Sequence, residues 1–499
     1  MGGVELTAQT AKPMEHQQEA LDKCRDKEAF AYLMEMGTGK TFTDIWDTDY
    51  LFNGGKIDGW LIFAPKGIYR NWVTKELPKW AKFHYRCCTF NASNLKAARE
   101  QVELVGQGPI DPRVLDIMVM NTEGLAFPGA KKALNQFIRT HKAIKTSLDE
   151  STQIKGPESK RTLAAHKMRP FSKYRRILTG FPLPNSPLDA WAQFMFLDPK
   201  ILKYSNWHAM RAHYAVLKSI KIPPRMVRGK DGQIKKLKAA KFQKVLGYRN
   251  LPELARRMDS CSYRALKKDC LDLEPKIYMT REIEMTDEQW TAYNDLVRYG
   301  RAELSLEDKV TTAHVLTQMM RLQQIVAGHT KTDEGKIIYI KNNRMTALMD
   351  HVNECGGKVI IWSGFVPAIE EISQKLAKEF GPETVEAYYG KTHDKLRPEI
   401  VQRFEDDDTL RFFVGNPSTG GTGLTLNGSH DTLYYSNSYN LEHRVQSEDR
   451  NHRIGQLFPV TYTDFIARGT VDEKITNSMI TKKKISTEAL GEEWEEWIQ

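Results

Sequence analysis

Long apolar runs, spaced cysteine pairs, solenoid-length repeats and an excess of acidic charge are all missing from this sequence. No run of about 18 or more apolar residues occurs, so no segment reads as a membrane span. Nothing at the N-terminus has the charged-then-apolar layout of a secretory signal. The expectation is a soluble, cytoplasmic protein without a membrane partner. Cysteine is scarce: Cys24, Cys87, Cys88, Cys261, Cys270 and Cys355 make six in 499 residues. Only Cys87 and Cys88 lie close together, and adjacent cysteines do not supply the spaced pairs of a zinc site. Buried thiols in a reducing compartment fit better than disulfides or metal ligands.

What is present points to folded α/β structure. Hydrophobic residues make up 40% and aromatic ones 10%, enough to fill sizeable cores. The length allows about three units at roughly 150 residues each. Lys and Arg outnumber Asp and Glu by 73 to 63, giving net charge +10. A basic surface of this size suits an anionic partner such as nucleic acid, though many soluble proteins share it. From Lys218 to Arg249 the imbalance is concentrated, with eleven Lys and Arg against one acid, Asp231. That stretch is either a DNA-facing insertion or a solvated basic loop.

Short apolar runs bounded by turn residues recur in two blocks: WLIFAP (60–65), LDIMVMN (115–121), IKTSLDE (144–150) and RRILTG (175–180), then KVIIWSGF (358–365), VEAYYG (385–390), RFFVGN (411–416), DTLYYSN (431–437) and VTYTDFIA (460–467). Continuous apolar strands alternating with helix-period stretches predict buried parallel sheets. Residues 201–330 change character, repeating apolar residues at helical spacing in 251–258, 287–304 and 313–329. Within them, PPRMVRGKDGQIKK (223–236) reads as an exposed loop or hairpin. The predicted organisation is an N-terminal lobe over 1–200, a helical insertion and linker over 201–330, a C-terminal lobe over 331–480 and an acidic, Trp-containing tail over 481–499.

MEMGTGKT (34–41) is the strongest local signal. Gly37 and Gly39 let backbone amides wrap phosphate oxygens, Lys40 reaches the terminal phosphates, and the Thr41 hydroxyl can ligate Mg2+. Met34 stands where the general phosphate-loop pattern has glycine, which points away from kinases and GTPases and toward helicase-like motors. LDEST (148–152) supplies acids: Asp149 to hold the metal and Glu150 to orient and deprotonate water, although an acidic pair at a helix start gives the same letters. QSEDRNHRIGQ (446–456) places Arg450 and Arg453 three apart, on one face if helical, where guanidinium groups can stabilise charge on a transferring phosphoryl group. A solvated charged helix is the plainer reading. STGGTGLTL (418–426) can offer backbone amides and Thr422 to a nucleic-acid phosphate.

With these pieces in order, the sequence resembles the Swi/Snf-type ATPases of helicase superfamily 2. The matching segments are HQ (16–17), the phosphate loop, IFAPKGIYRNW (62–72), MNTEGL (120–125), DESTQIKGPESKR (149–161), LTGFPLPNSPLDAWAQF (178–194), KKDCLDLEPKIY (267–278), GGTGLTL (420–426), QSEDRNHRIGQ and GTVDEKI (469–475). The resemblance implies two RecA-like lobes with ATP and Mg2+ as cofactors and double-stranded DNA as partner, branched or single-stranded DNA being further candidates. Family members track one strand of a duplex 3′ to 5′ without routinely separating it. Carried over, Gln17 would read adenine, Gly37, Thr38, Gly39, Lys40 and Thr41 would hold phosphates and metal, and Gln446, Arg450 and Arg453 would sense the γ-phosphate. Thr179, Gly180, Gly421 and Gly423 would couple nucleotide state to DNA grip, and Lys66, Asn121, Ser363 and Thr422 would touch the DNA backbone. Phe181, Thr152 and Gly364 depart from the family pattern without removing a hydrolytic group.

The expected function is therefore an ATP-dependent double-stranded DNA translocase. A strand-separating or branch-migrating helicase shares every motif, because unwinding needs only an added wedge. A nucleic-acid-binding switch that binds ATP without cycling is the alternative of another class, and it commonly lacks an acid or an arginine that this sequence retains.

Overall fold

The computed structural model describes residues 11–90, 107–222, 225–228, 234–237, 240–306, 312–332, 334–393, 395–420 and 424–493. The chain divides into two compact units, 1–214 with 248–272 and 485–493, and 215–247 with 273–484 and 494–499.

The first unit is built on seven strands: β1 (Ala29–Met34), β2 (Gly59–Ala64), β3 (His84–Phe90), β4 (Val114–Asn121), β5 (Ile144–Asp149), β6 (Tyr174–Leu178) and β7 (Ser262–Ala265). They lie in the order β7-β1-β6-β5-β2-β4-β3, and every pairing is parallel. Alternate residues feed two cores. Ala31, Leu33, Leu61, Phe63, Met118 and Met120 face one side, packed by the helix Pro128–Thr140. Phe30, Tyr32, Trp60, Ile62, Ile117 and Val119 face the other, packed by the helix Lys40–Asn53. Both faces are covered, which is why β1, β2 and most of β4 read as apolar runs.

The second unit repeats the principle with β8 (Lys276–Ile283), β9 (Val359–Trp362), β10 (Val385–Tyr388), β11 (Phe412–Gly415), β12 (Asp431–Tyr434) and β13 (Val460–Ala467). Their order is β8-β13-β12-β9-β11-β10, again with parallel pairings throughout. Val359, Ile361, Phe412, Val414 and Leu433 meet the helix Val366–Phe380 on one face. Ile360, Trp362, Phe413 and Tyr434 meet the helix Arg397–Asp406 on the other.

The expected α/β class with two parallel-sheet lobes is what the structure has, but the boundaries differ. The stretch 201–330 is not a purely helical insertion: β7 closes one edge of the first sheet and β8 one edge of the second. Only after β8 come the helices Asp287–Leu306 and Thr312–Val326. In the segment expected to be a loop or hairpin, Arg225–Arg228 pairs antiparallel with Ile234–Leu237. Residues 485–493, assigned from sequence to a tail, belong to the first unit, where Glu492 pairs with Arg264 at 2.5 Å. Trp494 and Trp497 lie outside the described residues. All six cysteines are free thiols, with Cys24, Cys88 and Cys261 buried. No described helix is long and apolar enough to cross a membrane.

Candidate active site

The first unit gathers its candidate residues along one edge. β1, β6, β5, β2 and β4 are consecutive neighbours and all run the same way. Their C-terminal ends therefore deliver, in order, the phosphate loop, Thr179-Gly180, Asp149-Glu150, Lys66 and Asn121. The C-terminal edge of a parallel sheet is where α/β folds bind ligands.

After β1 the chain turns through Gly37 (φ 89°) and Gly39 (φ 91°) into the helix Lys40–Asn53. This left-handed backbone suits glycine, and it aims helix N-terminal amides at a common point suited to an anion. A Cβ on Gly39 would collide with the Gln17 side chain. The Gln17 amide donates to Thr38 O at 3.1 Å, and the His16 ring lies 2.8 Å from the same carbonyl. Met14 N–H donates to Gln17 Oε1 at 3.0 Å, so Gln17 is clamped between the first helix and the loop. The Thr38 hydroxyl donates to Glu35 O at 2.8 Å and braces the turn. Lys40 is buried, and Thr41 is half-buried beside it.

Asp149 ends β5 and is 6% exposed. Its Oδ2 accepts from the Trp72 indole N–H at 3.0 Å and its Oδ1 from the Glu150 N–H at 3.0 Å. Burial pushes its carboxyl above the ordinary carboxylate range, opposed by the Lys40 charge and these two donors. Hard oxygens from Asp149 and Thr41 are the donor chemistry Mg2+ selects, and the glycine cradle suits phosphate. Glu150 follows in a left-handed conformation (φ 46°), a backbone choice that costs a non-glycine residue roughly 1–3 kcal/mol and turns it sharply off the strand.

Thr179 and Gly180 follow β6, between the loop and the acids. A Cβ on Gly180 would lie 3.1 Å from Met36 N and 3.2 Å from Glu35 Cα, so this residue packs directly on the phosphate-loop backbone. Phe181 N–H donates to Thr179 Oγ1 at 3.2 Å. Sequence reading missed the bridge between the acids and this segment. Ser151 Oγ donates to Gln193 Oε1 at 2.6 Å, and Gln193 Nε2 donates to Pro182 O at 2.7 Å. It also missed Trp72 as a partner of Asp149. Both residues stand in segments that resemble the family, but a donor and acceptor 77 positions apart leave no trace in the spacing. Lys66 is exposed. Asn121 is half-buried, and its amide donates to Glu123 Oε2 at 3.2 Å.

In the second unit the helix Leu441–Glu448 carries Gln446 and stops before the arginines, so Arg450 and Arg453 stand in the turns that follow rather than on a helix face. They still converge: Arg450 Nη1 donates to Leu424 O at 3.2 Å and Arg453 Nη1 to the same carbonyl at 3.0 Å. Arg450 Nε also donates to Gln446 O at 2.9 Å. Leu424 directly follows the glycine-rich loop, of which Gly421, Thr422 and Gly423 lie outside the described residues. Ser363 is fully buried, its hydroxyl 3.2 Å from Ser436 Oγ, because it directly follows the central strand β9. That is not the placement of a surface contact to DNA.

Comparison with known proteins gives these arrangements a setting. A family model of the SNF2-related domain matches residues 28–330, and the helicase conserved C-terminal domain matches 341–455. The chain is 25% identical to the TATA-binding protein-associated factor mot1 of Aspergillus fumigatus, over 69% of this chain and 20% of that protein. It is 23% identical to an uncharacterized ATP-dependent helicase of Mycoplasma genitalium, over 92% and 40%. It is 24% identical to the transcription regulatory protein SNF2 of Saccharomyces cerevisiae, over 90% and 26%. The chain thus spans between 20% and 40% of the length of these relatives. Among solved structures it is similar to a Sulfolobus solfataricus SWI2/SNF2 ATPase core in complex with dsDNA, at 22% identity and TM-score 0.41, covering 97% of this chain and 96% of that one. The relatives come from fungi and a mycoplasma, so they single out no bacterial or viral origin.

Proposed function

Because the chain belongs to the SNF2-related ATPases, with a helicase C-terminal domain following the SNF2-related one, we propose that it couples ATP hydrolysis to movement along double-stranded DNA. The observation that carries this reading is the convergence of phosphate loop, Gly180 and the Asp149-Glu150 pair on neighbouring ends of one parallel sheet. In this reading Gly37 to Thr41 bind the phosphates and Gln17 reads the base. Asp149 and Thr41 would hold Mg2+, which when bound neutralises phosphate charge. Glu150 takes the proton of the attacking water. Lys40 and the loop amides keep the phosphates in place, a positioning task that dominates phosphoryl transfer.

Movement requires that hydrolysis report on DNA. Gly180 leans on the phosphate loop while Gln193 ties its segment to Ser151, so a shift in either element reaches the other. Hydrolysis is proposed to depend also on Gln446, Arg450 and Arg453 of the second unit, with Lys66 and Asn121 among the groups that grip the DNA backbone. Gly421, Thr422 and Gly423 belong to that proposal on sequence grounds alone.

The test is ATP turnover measured without nucleic acid and with duplex, single-stranded and branched DNA and RNA. Stimulation by duplex together with displacement of a triplex-forming strand is the expected result. Fork unwinding without triplex displacement would make the protein a strand-separating helicase. ATP binding without turnover on any nucleic acid would make it a switch.

A further inference from the structure

The indole of Trp72 sits in an unusual piece of backbone. Residues Trp72–Glu76 form a π-helical turn in which Leu77 N–H donates to Trp72 O, five residues back. Single π turns inside helices are rare and concentrate at functional sites. Here the widened turn follows β2, the strand beside β5. Trp72 is 2% exposed and packs edge-to-face on Trp60, ring centroids 5.8 Å apart at 88°. Trp60 donates its own indole N–H to Ser147 Oγ at 2.9 Å. Ser147 and Asp149 are two apart on β5 and point to one face, so two indoles in edge-to-face contact reach alternate residues of the strand that ends in the acids.

Each Asp149 oxygen thus has one fixed donor, the Trp72 indole on Oδ2 and the Glu150 amide on Oδ1. A carboxylate oxygen accepts more than one hydrogen bond, so both oxygens keep capacity for a metal or its water shell. Both donors are held by buried structure, one by ring packing and one by the left-handed turn at Glu150. The charges around the carboxylate are mixed: Lys40 attracts, while Asp44 on the same helix and Glu76 in the π turn repel. A carboxylate so placed turns away from its acidic neighbours unless something anchors it.

We propose that Trp72 is a positioning residue for the magnesium site: its indole N–H, presented by the π turn, fixes the Asp149 carboxylate in the orientation that holds the metal of the bound nucleotide. The proposal rests on the reading of the first unit as a magnesium-dependent ATPase site. Partners that orient metal-binding carboxylates change metal affinity by roughly 10–100-fold when removed. A merely packing role for Trp72 would instead lower stability and leave metal dependence alone.

Trp72→Phe keeps an aromatic ring and removes the donor, and Trp60→Phe, which keeps a ring against Trp72, is the control for losing an indole from the same pair. Four quantities are measured on the full chain: Mn2+ binding by electron paramagnetic resonance with a non-hydrolysable ATP analogue, the Mg2+ concentration giving half-maximal ATP turnover, KM for ATP at saturating metal, and nucleotide binding in EDTA. In Trp72→Phe, Mn2+ affinity falls about tenfold or more and half-maximal Mg2+ rises to match. KM for ATP at saturating metal and nucleotide binding in EDTA stay at wild-type values, and Trp60→Phe changes none of the four. Should Trp72→Phe not fold, benzothienylalanine at position 72, with sulfur replacing the N–H in a ring of the same shape, takes its place with the same two outcomes. Wild-type metal affinity in the folded variant overturns the positioning role. Absence of metal-dependent turnover in the unaltered protein overturns the ATPase reading instead.

Discussion

At the scale of the residue, the two neighbouring acids make opposite demands on their surroundings. Glu150 is the proposed proton acceptor, so Glu150→Gln is expected to lower ATP turnover by about 10²–10⁴-fold while ATP and DNA binding persist. Turnover that survives at wild-type rate would move the base to another group. Asp149 is a stored cost. Burial holds its folded-state pKa above the ordinary carboxylate value of 3.8, so the folded protein binds that proton more tightly than the unfolded chain does. The penalty of ionising it accumulates as pH rises through the interval between those two values, and stays constant above it. Asp149→Asn is therefore expected to raise the melting temperature of the metal-free protein at neutral pH and to abolish metal-dependent hydrolysis. The melting difference from wild type should shrink as pH falls through the same interval. Calorimetry across that range checks it, and a variant that melts lower at neutral pH would show that the charge is already well compensated. The acids, the phosphate loop and Gly180 were legible as letters because their chemistry is local. Trp72 and Gln193 were not, because their value lies in what folding sets beside them.

At the scale of the element, β5 sets the polar residues Lys145, Thr146 and Ser147 fully inside a sheet, and their partners explain it. Lys145 is fully buried and pairs with Asp44 at 2.8 Å and Asp47 at 2.7 Å, both on the helix that begins at the phosphate loop. Its ammonium also donates to Thr48 Oγ1 at 2.7 Å. Arg176 on β6 reaches Asp47 at 2.9 Å. This buried cluster ties the helix of the phosphate loop to the strand of the acids. Removing one partner of such a cluster leaves charge stranded, so Lys145→Met is expected to destabilise the protein by about 3–5 kcal/mol in denaturant unfolding. A loss well under 1 kcal/mol would mean that Asp44 and Asp47 relax without it. In the two large sheets the strands that sequence reading missed, His84–Phe90, Ser262–Ala265 and Lys276–Ile283, all lie at edges. Edge strands are only partly covered, and β8 alternates exposed and half-buried positions along most of its length, so a search for continuous apolar runs finds the central strands and passes over these. The arginine segment gives the converse: the helix on which their spacing would have set Arg450 and Arg453 on one face ends at Glu448, and the two reach the Leu424 carbonyl from the turns beyond it.

At the scale of the whole molecule, the prediction concerns division of labour. The basic stretch 218–249 contains paired strands Ala215–Ile222 and Ala240–Tyr248, with exposed Lys218 and Lys244 among its described side chains. If it grips DNA, neutralising several of its lysines should flatten the slope of log affinity against log salt by about 0.9 per lost duplex phosphate contact. An unchanged slope would mark it as a solvated basic ribbon. The arginines ask a deeper question, because the first unit already carries the phosphate loop together with the proposed metal carboxylate and the proposed base. If these sufficed, changing Arg453 would affect only the second unit, loosening Leu424. If hydrolysis is shared, as movement requires, Arg453→Ala lowers DNA-stimulated turnover by about 10³-fold, the scale of an arginine that stabilises phosphoryl transfer, with ATP binding retained. Arg453→Lys separates charge from geometry: it keeps a cation and one donor but loses the planar fork, so it should recover DNA binding without recovering most of the turnover. Turnover near wild type in Arg453→Ala, with its DNA affinity reduced, would confine the arginine to the loop it touches and leave the motor without its second half.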